Sequence, residues 1–362
     1  MVKEIRKLKM PEKIDIESDS HLTRMAANFF QEKTNGEYSA TDVQAIKEFI
    51  RYLFKLVPLK RYKIALCFIC INPPYWEFIA KTIEGAKKFF LPDHQVDYFV
   101  WSDLPNNSEI IRQKLAESFL KTGEAKASMI DSSSATILMD ENKVKDFERL
   151  IGELIKVRKE VNFFEVESVE WPLPTLFRYH TFLQQEEKLA QYDYIVYCDI
   201  DMVFANYISD EILPPFETGG LFAVLHPMYA LRDNFLAPYE PNPQSAAYVP
   251  FYNTYYAGGF QGGKSADFIK AMKEMRRTID LDFEKNNYIS RWNDESHWNF
   301  FLKNNPPSIV LSPAYIYPDS LIQDYYVKVW GRNYSPKIIT LTKKFTVTKE
   351  GAQAISEQMK TL

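Results

Sequence analysis

Ten consecutive residues, Tyr62 to Ile71 (YKIALCFICI), carry one charge and are otherwise apolar or aromatic. A run of this length fits a strand buried on both faces, and such strands belong to parallel sheets covered by helices. A helical stretch from about Trp76 to Phe90 follows the NPPYW turn, and DYFVW (Asp97 to Trp101) supplies the next strand. Strand, crossover helix and strand make a βαβ unit, which commits the chain to an α/β sheet that binds ligands at the carboxyl ends of its strands. GxGxxG does not occur, so a dinucleotide fold is rejected, and a P-loop is rejected with it, because the one string that spells GxxxxGK[ST], GGFQGGKS at Gly258 to Ser265, lies far outside this βαβ unit.

A second run, Tyr192 to Phe204 (YDYIVYCDIDMVF), reads as a strand to Cys198 and then breaks into Asp199 and Asp201. Carboxylates at i and i+2 of a strand share a face. They repel unless a cation or a proton intervenes, and oxygen-only ligation of this type suits Mg²⁺ or Mn²⁺ bridging a diphosphate. The plainer alternative is an acidic strand end that meets solvent or caps the next helix.

The 362 residues, 46% hydrophobic, are enough for one large or two ordinary domains with a full core. A net charge of −4 argues against a nucleic-acid partner. Three cysteines, Cys67, Cys70 and Cys198, are too few for a disulfide scaffold. The Cys67-x-x-Cys70 pair lies inside an apolar run without a second pair, so it reads as buried rather than as a zinc or redox site. The opening MVKEIRKLKMPEK has no apolar leader, and no stretch approaches the ~20 apolar residues of a membrane span, from which a cytoplasmic location is expected.

Residues 1–40 read as a polar arm. An amphipathic helix is expected from Thr41 to Val57; its basic side chains form a solvated face or, as the lesser reading, a membrane or acceptor contact. Residues 104–160 read as two helices joined by a Ser-rich turn at Ser132 to Ser134, and Val161 to Val166 as a strand. WPLPTLFRYHTFL (Trp171 to Leu183) predicts a helix carrying Arg178, either a phosphate or ribose contact or an ordinary ion-pair residue. LFAVLH ends a strand on His226, which could bond a sugar hydroxyl or satisfy a core acceptor. NTYYAGGFQGG packs four glycines where backbone comes close to something, if only in a turn. RWNDESHWN (Arg291 to Asn299) concentrates Trp292, Asn293, Asp294, Glu295 and His297, either a sugar site or a stabilised helix start.

From about Lys63 to Ser320 the motifs DIDMVF, LHPMY, PQSAAYVPF, YYAGGFQGG, WNDESHWN and LSPAY occur in an order that resembles the retaining glycosyltransferases of the histo-blood-group A/B and α1,3-galactosyltransferase family, in a form like the soluble bacterial or phage members. The resemblance implies a GT-A type α/β fold. Its boundaries would be an arm and helix over 1–60, a catalytic domain over 61–330 and a tail over 331–362. The nucleotide-sugar half would be 61–205, including a helical insert at 104–160, and the acceptor half 206–330.

The resemblance also implies roles. Mn²⁺, or Mg²⁺ in its place, would be held by Asp199 and Asp201 across the diphosphate of a UDP-sugar. Cys70, Ile71, Asn72 and Tyr75 would hold uracil and ribose, with Ile200 beneath the ribose and Arg178 on the donor. Asp294 would bond the donor sugar, and Glu295 would act as nucleophile or as stabiliser of an oxocarbenium-like state. His226 and Trp292 would meet a galactose-containing acceptor, an oligosaccharide or glycolipid that carries fucose in the family. The small triplet Ala257, Gly258 and Gly259 leaves room for an acetamido group and implies UDP-GalNAc ahead of UDP-Gal. Lys343 and Lys344 would close over the diphosphate. This chain departs from the vertebrate pattern at the uracil loop, at Asn293 in place of a frequent histidine, and at Leu231 to Pro243 in the acceptor loop. Two other readings stand beside this one. The hhhhDxDxV pattern around Asp199 also fits a haloacid-dehalogenase phosphohydrolase, although that family places it near the N-terminus. A silent sugar-binding protein on the same fold is the other.

Overall fold

The computed structural model describes residues 61–121, 126–131, 134–138, 141–229, 238–250, 254–319 and 335–342. The expected arm and the helix from Thr41 to Val57 lie outside these residues.

The apolar run forms β1 (Lys63–Cys70), buried at every position after Lys63. It leads through Asn72, whose φ of 82° is in the left-handed region, into α1 (Pro73–Phe89). Proline opens this helix where a missing N–H costs nothing, and Trp76, Ile79, Ile83 and Ala86 form its buried stripe. Next come β2 (Gln95–Ser102), α2 (Ser108–Lys121), a hairpin of β3 (Lys126–Asp131) with β4 (Ser134–Leu138), α3 (Glu141–Glu160) and β5 (Asn162–Glu165). Both helices expected over 104–160 are present, as α2 and α3, but a hairpin rather than a simple turn joins them. KASMID and SATIL pair with each other as an antiparallel hairpin between the two helices.

The single helix expected over Trp171 to Leu183 is two short ones, Leu173–Leu176 and Arg178–Leu183, broken at Phe177. Then follow β6 (Tyr194–Cys198), β7 (Met202–Phe204), β8 (Leu221–Leu225) and β9 (Tyr256–Lys264). The second half continues with α4 (Ser265–Asp280), α5 (Asn293–Asn304), β10 (Ile309–Leu311), β11 (Tyr317–Pro318) and β12 (Ile338–Thr340).

The main sheet runs β10-β8-β9-β6-β1-β2-β5. Its block β6-β1-β2-β5 is parallel, and the glycine-rich β9 enters antiparallel between β6 and β8. Strand alternation divides the core. Leu66, Cys70, Val196 and Cys198 pack on the face covered by α1, whereas Ile69, Ile71, Ile195 and Tyr197 pack with Phe182, Met272 and Trp298 on the other. A small sheet, β11-β12-β7, attaches residues 335–342 beside the turn after β6, where the Leu341 N–H donates to the Asp201 carbonyl at 2.9 Å. No helix among the described residues is long and apolar enough to cross a membrane.

Candidate active site

The carboxyl ends of β1 and β6 and the broken helix at Leu173–Leu183 enclose a cavity of about 240 Å³. Asp199, Ile200 and Asp201 line it, though not by strand alternation: β6 ends at Cys198 and the acids occupy a turn before β7. Buried Thr82 on α1 fixes that turn from behind, its hydroxyl within 2.7 Å of the Ile200 carbonyl and 2.8 Å of the Met202 carbonyl.

Ile71, Asn72 and Tyr75 line the opposite wall. The Cys70 side chain is not in this lining: it packs on the α1 face of the sheet, where burial drives its thiol pKa well up. The period of two exchanges it for its neighbour, Ile69, which does line the cavity. Asp103 at the end of β2 holds the loop, accepting from the Asn72 N–H at 3.0 Å and the Trp76 indole N–H at 2.8 Å. Trp171, 45% exposed, sits on the rim.

Among the described residues Arg178 is the one cationic side chain in the cavity lining, and it is 4% exposed. Its Nε lies 3.0 Å from Asp294 Oδ2, its Nη1 lies 3.5 Å from Asp199 Oδ1 and 3.1 Å from the Gly258 carbonyl, and its plane stacks 4.3 Å above the Tyr197 ring. The Tyr197 hydroxyl donates to the same oxygen of Asp199. Burial alone would lower the guanidinium pKa, but Asp294, Tyr197 and Asp199 outweigh it and keep the charge in place.

Asp294 and Glu295 start α5 and reach the cleft from the other side. Glu295 is bonded at both oxygens, by the Tyr255 hydroxyl at 2.8 Å and by the Gly258 N–H at 2.7 Å. Burial pushes its pKa up to about 7 against those two bonds and the pull of Arg178. Burial also raises Asp294 to about 7, with Arg178 opposing and Asp199 and Glu295 reinforcing. The glycines of β9 are where these groups meet. A Cβ on Gly258 would lie 3.3 Å from Glu295 Cβ, and one on Gly259 would lie 2.6 Å from Asp199 Oδ2. Ala257 turns into the core beside Val224 and Phe260. The run expected to tolerate a turn is a nine-residue strand whose missing side chains admit two acids.

Next to Glu295, His226 forms an aromatic cluster with Tyr229 and Tyr255, ring centroids 4.9 and 5.6 Å away. Burial lowers its pKa to about 4, so it is neutral at pH 7. Its Nδ1 accepts from the Met228 N–H at 3.2 Å, which puts the ring proton on Nε2. Trp292 stands exposed on the same side. Residues 230–237 of the acceptor loop and the pair Lys343 and Lys344 lie outside the described residues. The sequence assigns Tyr197 and Tyr255 no role; the first is marked only by its place two residues ahead of Asp199, the second only by its place in the glycine-rich run.

A sequence model of glycosyltransferase family 6 matches residues 155–337. The human globoside alpha-1,3-N-acetylgalactosaminyltransferase 1 is 33% identical over 252 residues, 68% of this chain and 58% of that protein. The chain belongs to glycosyltransferase family 6. The rat histo-blood group ABO system transferase 1 is 27% identical over 254 residues, 68% of this chain and 59% of that one. The O-antigen biosynthesis glycosyltransferase WbnI of Escherichia coli is 31% identical over 189 residues, 51% of this chain and 74% of its own length. The match thus spans under three-fifths of the length of those two animal relatives. In this family 6 chain the mixed, mostly parallel sheet between helices is the GT-A type arrangement.

Two carboxylates in a cavity make an incomplete metal site, and among the described residues no three His, Cys, Asp or Glu side chains converge to complete one. That donor set fits a hard cation whose remaining positions are filled by water and substrate phosphate, the usual habit of Mg²⁺ and its analogue Mn²⁺.

Proposed function

We propose that this chain transfers GalNAc, with Gal as the lesser donor, from a UDP-sugar to a galactose-containing glycan with retention of anomeric configuration. The observation that supports this best is one connected set of contacts: Glu295 to Gly258, Gly258 to Arg178, and Arg178 to both Asp294 and Asp199. It links the cavity acids to the acids of α5, so a nucleotide diphosphate at the first would place its sugar at the second.

Uracil and ribose would lie between Ile71, Asn72 and Tyr75 and the turn at Ile200. Asp199 and Asp201 would hold Mn²⁺ or Mg²⁺, which when bound supplies Lewis-acid stabilisation of the leaving diphosphate. Arg178 keeps Asp294 and Asp199 in place without titrating. Asp294 would orient the donor sugar. Glu295, pinned at both oxygens, faces the anomeric carbon as an anion, either forming a bond to it or stabilising its positive charge. His226 would donate from Nε2 to an acceptor hydroxyl, and Trp292 would stack on the acceptor ring. Gly258 and Gly259 make room for Glu295 and Asp199. The preference for UDP-GalNAc therefore draws on the resemblance at this small triplet and on a relative named as an N-acetylgalactosaminyltransferase.

The test is a mass-resolved assay of UDP-GalNAc, UDP-Gal and UDP-Glc against galactose-terminated glycans, with and without fucose, in Mn²⁺. Transfer of GalNAc at least about tenfold faster than Gal is expected. A clear Gal preference overturns the donor assignment. Phosphate release from a phosphomonoester with no sugar transfer would favour the phosphohydrolase reading.

A further inference from the structure

Behind the acceptor side lies a pair of buried carboxylates that no step above uses. Glu240, 1% exposed, accepts at Oε1 from the Tyr288 hydroxyl at 2.8 Å and the Asn242 N–H at 2.9 Å, and at Oε2 from the Arg291 N–H at 2.6 Å. Asp282, equally buried, accepts from the Ser245 hydroxyl at 2.5 Å, the Ala246 N–H at 2.6 Å and the Ser290 hydroxyl at 3.0 Å. Tyr288, Ser290 and Arg291 lead directly into Trp292. They are thereby fastened to the segment 238–250.

We infer that Glu240 is a positioning residue for the acceptor, setting the placement of Trp292 through the backbone of Arg291. Trp292 is 45% exposed. Its own N–H is tied to Ser296 Oγ at 3.1 Å, and the next residue, Asn293, has a φ of 49°. An indole with so much free surface takes its direction from the main chain that carries it. Asp294 and Glu295 differ, being bonded directly by Arg178, Tyr255 and Gly258, of which only Tyr255 touches the segment of Glu240, through ring packing on Tyr239. Loosening Glu240 therefore displaces the acceptor platform more than the donor acids.

Glutamine is the informative substitution. All three partners of Glu240 donate in the present arrangement; an amide accepts through one oxygen only, and its NH₂ faces whichever partner is left. If the amide oxygen keeps Arg291, the Tyr288 hydroxyl can turn to accept but the Asn242 N–H cannot. Glu240→Gln keeps the volume and weakens the clamp, whereas Glu240→Ala leaves three donors unpaired and endangers the fold.

The experiment uses Glu240→Gln, Trp292→Ala and the double variant in the full chain. The readouts are KM for a galactose-terminated acceptor, KM for the UDP-sugar, acceptor-independent donor hydrolysis, and hydrogen exchange. The inference expects Glu240→Gln to raise acceptor KM about tenfold, with donor KM and hydrolysis within about twofold of wild type. Trp292→Ala should mask the effect, so that the double variant resembles Trp292→Ala alone. Amide exchange over 288–293 should quicken while β6 and β9 stay protected. Hydrolysis and transfer falling together, additive KM effects, or unchanged exchange over 288–293 would each overturn it. The kinetic half rests on the transferase reading. A wild-type chain that consumes no UDP-sugar defeats that reading, while the exchange measurement still decides whether Glu240 holds the backbone ahead of Trp292.

Discussion

The acids of the turn after β6 and the acids at the head of α5 are held in opposite ways. Asp199 keeps 34% of its side chain exposed in the cavity, and one of its oxygens is shared by Arg178 and Tyr197. Glu295 has a donor on each oxygen, Asp294 is 1% exposed, and both have pKa values pushed up to about 7. Of the first pair, Asp199 stays open to a partner that arrives from solution, such as a cation with its phosphate, while Asp201 beside it lines the cavity from a buried position. The second is fixed before substrate arrives, as electrostatic stabilisation of a developing charge requires.

That contrast can be broken at either end. Glu295→Gln should have the largest effect, a loss of transfer of about 10³-fold with donor KM nearly unchanged, measured under saturating donor; the amide keeps the volume but cannot carry the charge. Removing divalent cations with EDTA should cut transfer by about 10²-fold, with recovery on adding Mn²⁺, and Asp199→Asn should resemble the chelated enzyme even with metal present. Gly259→Ala forces a methyl to within 2.6 Å of Asp199 Oδ2 and 2.5 Å of Met202 Cε. It should lower stability by about 1 kcal/mol in denaturant titration and weaken donor binding by turning Asp199 aside. Trp171→Ala, on the exposed rim, should change donor KM only about threefold and leave the melting temperature alone.

The raised carboxyls sharpen the contrast through pH. Glu295 must be ionised to act, so hydrolysis and transfer should rise as pH passes through about 7, and that limb should disappear in Glu295→Gln. Stability should move the other way. A carboxyl raised from 4.5 to about 7 by folding contributes stability that is complete below about 4.5 and lost as pH rises through 7. The nucleotide-free protein should accordingly melt lower at pH 8 than at pH 5 through this pair, and Glu295→Gln should reduce that slope.

The sequence disclosed the parts of the fold written in burial. Lys63–Cys70 and Tyr194–Cys198 read as buried strands, and the break of the second into Asp199 and Asp201 marked it as a candidate site. It misplaced features that depend on which face of a strand a side chain takes. Ile69, which lines the cavity while the Cys70 side chain packs in the core, could not be picked out, because an apolar strand buried on both faces carries no sign of its phase. The hairpin at 126–138 escaped notice because short apolar runs beside strong helices give no independent period. Tyr255 and Tyr197 could not be read as partners of Glu295 and Asp199, since one bond spans forty residues and the other crosses a strand end. The glycines of β9 announced a close approach, and only the fold shows that what approaches is a pair of carboxylates.

A sugar nucleotide placed across Asp199 and Glu295 should yield a product made on one face of the ring. The direct measurement is the NMR anomeric configuration of the glycan formed from α-linked UDP-GalNAc and a galactose-terminated acceptor. An α-linked product, lost in Glu295→Gln, is what this arrangement of acids predicts. A β-linked product, or full transfer by Glu295→Gln, would contradict it.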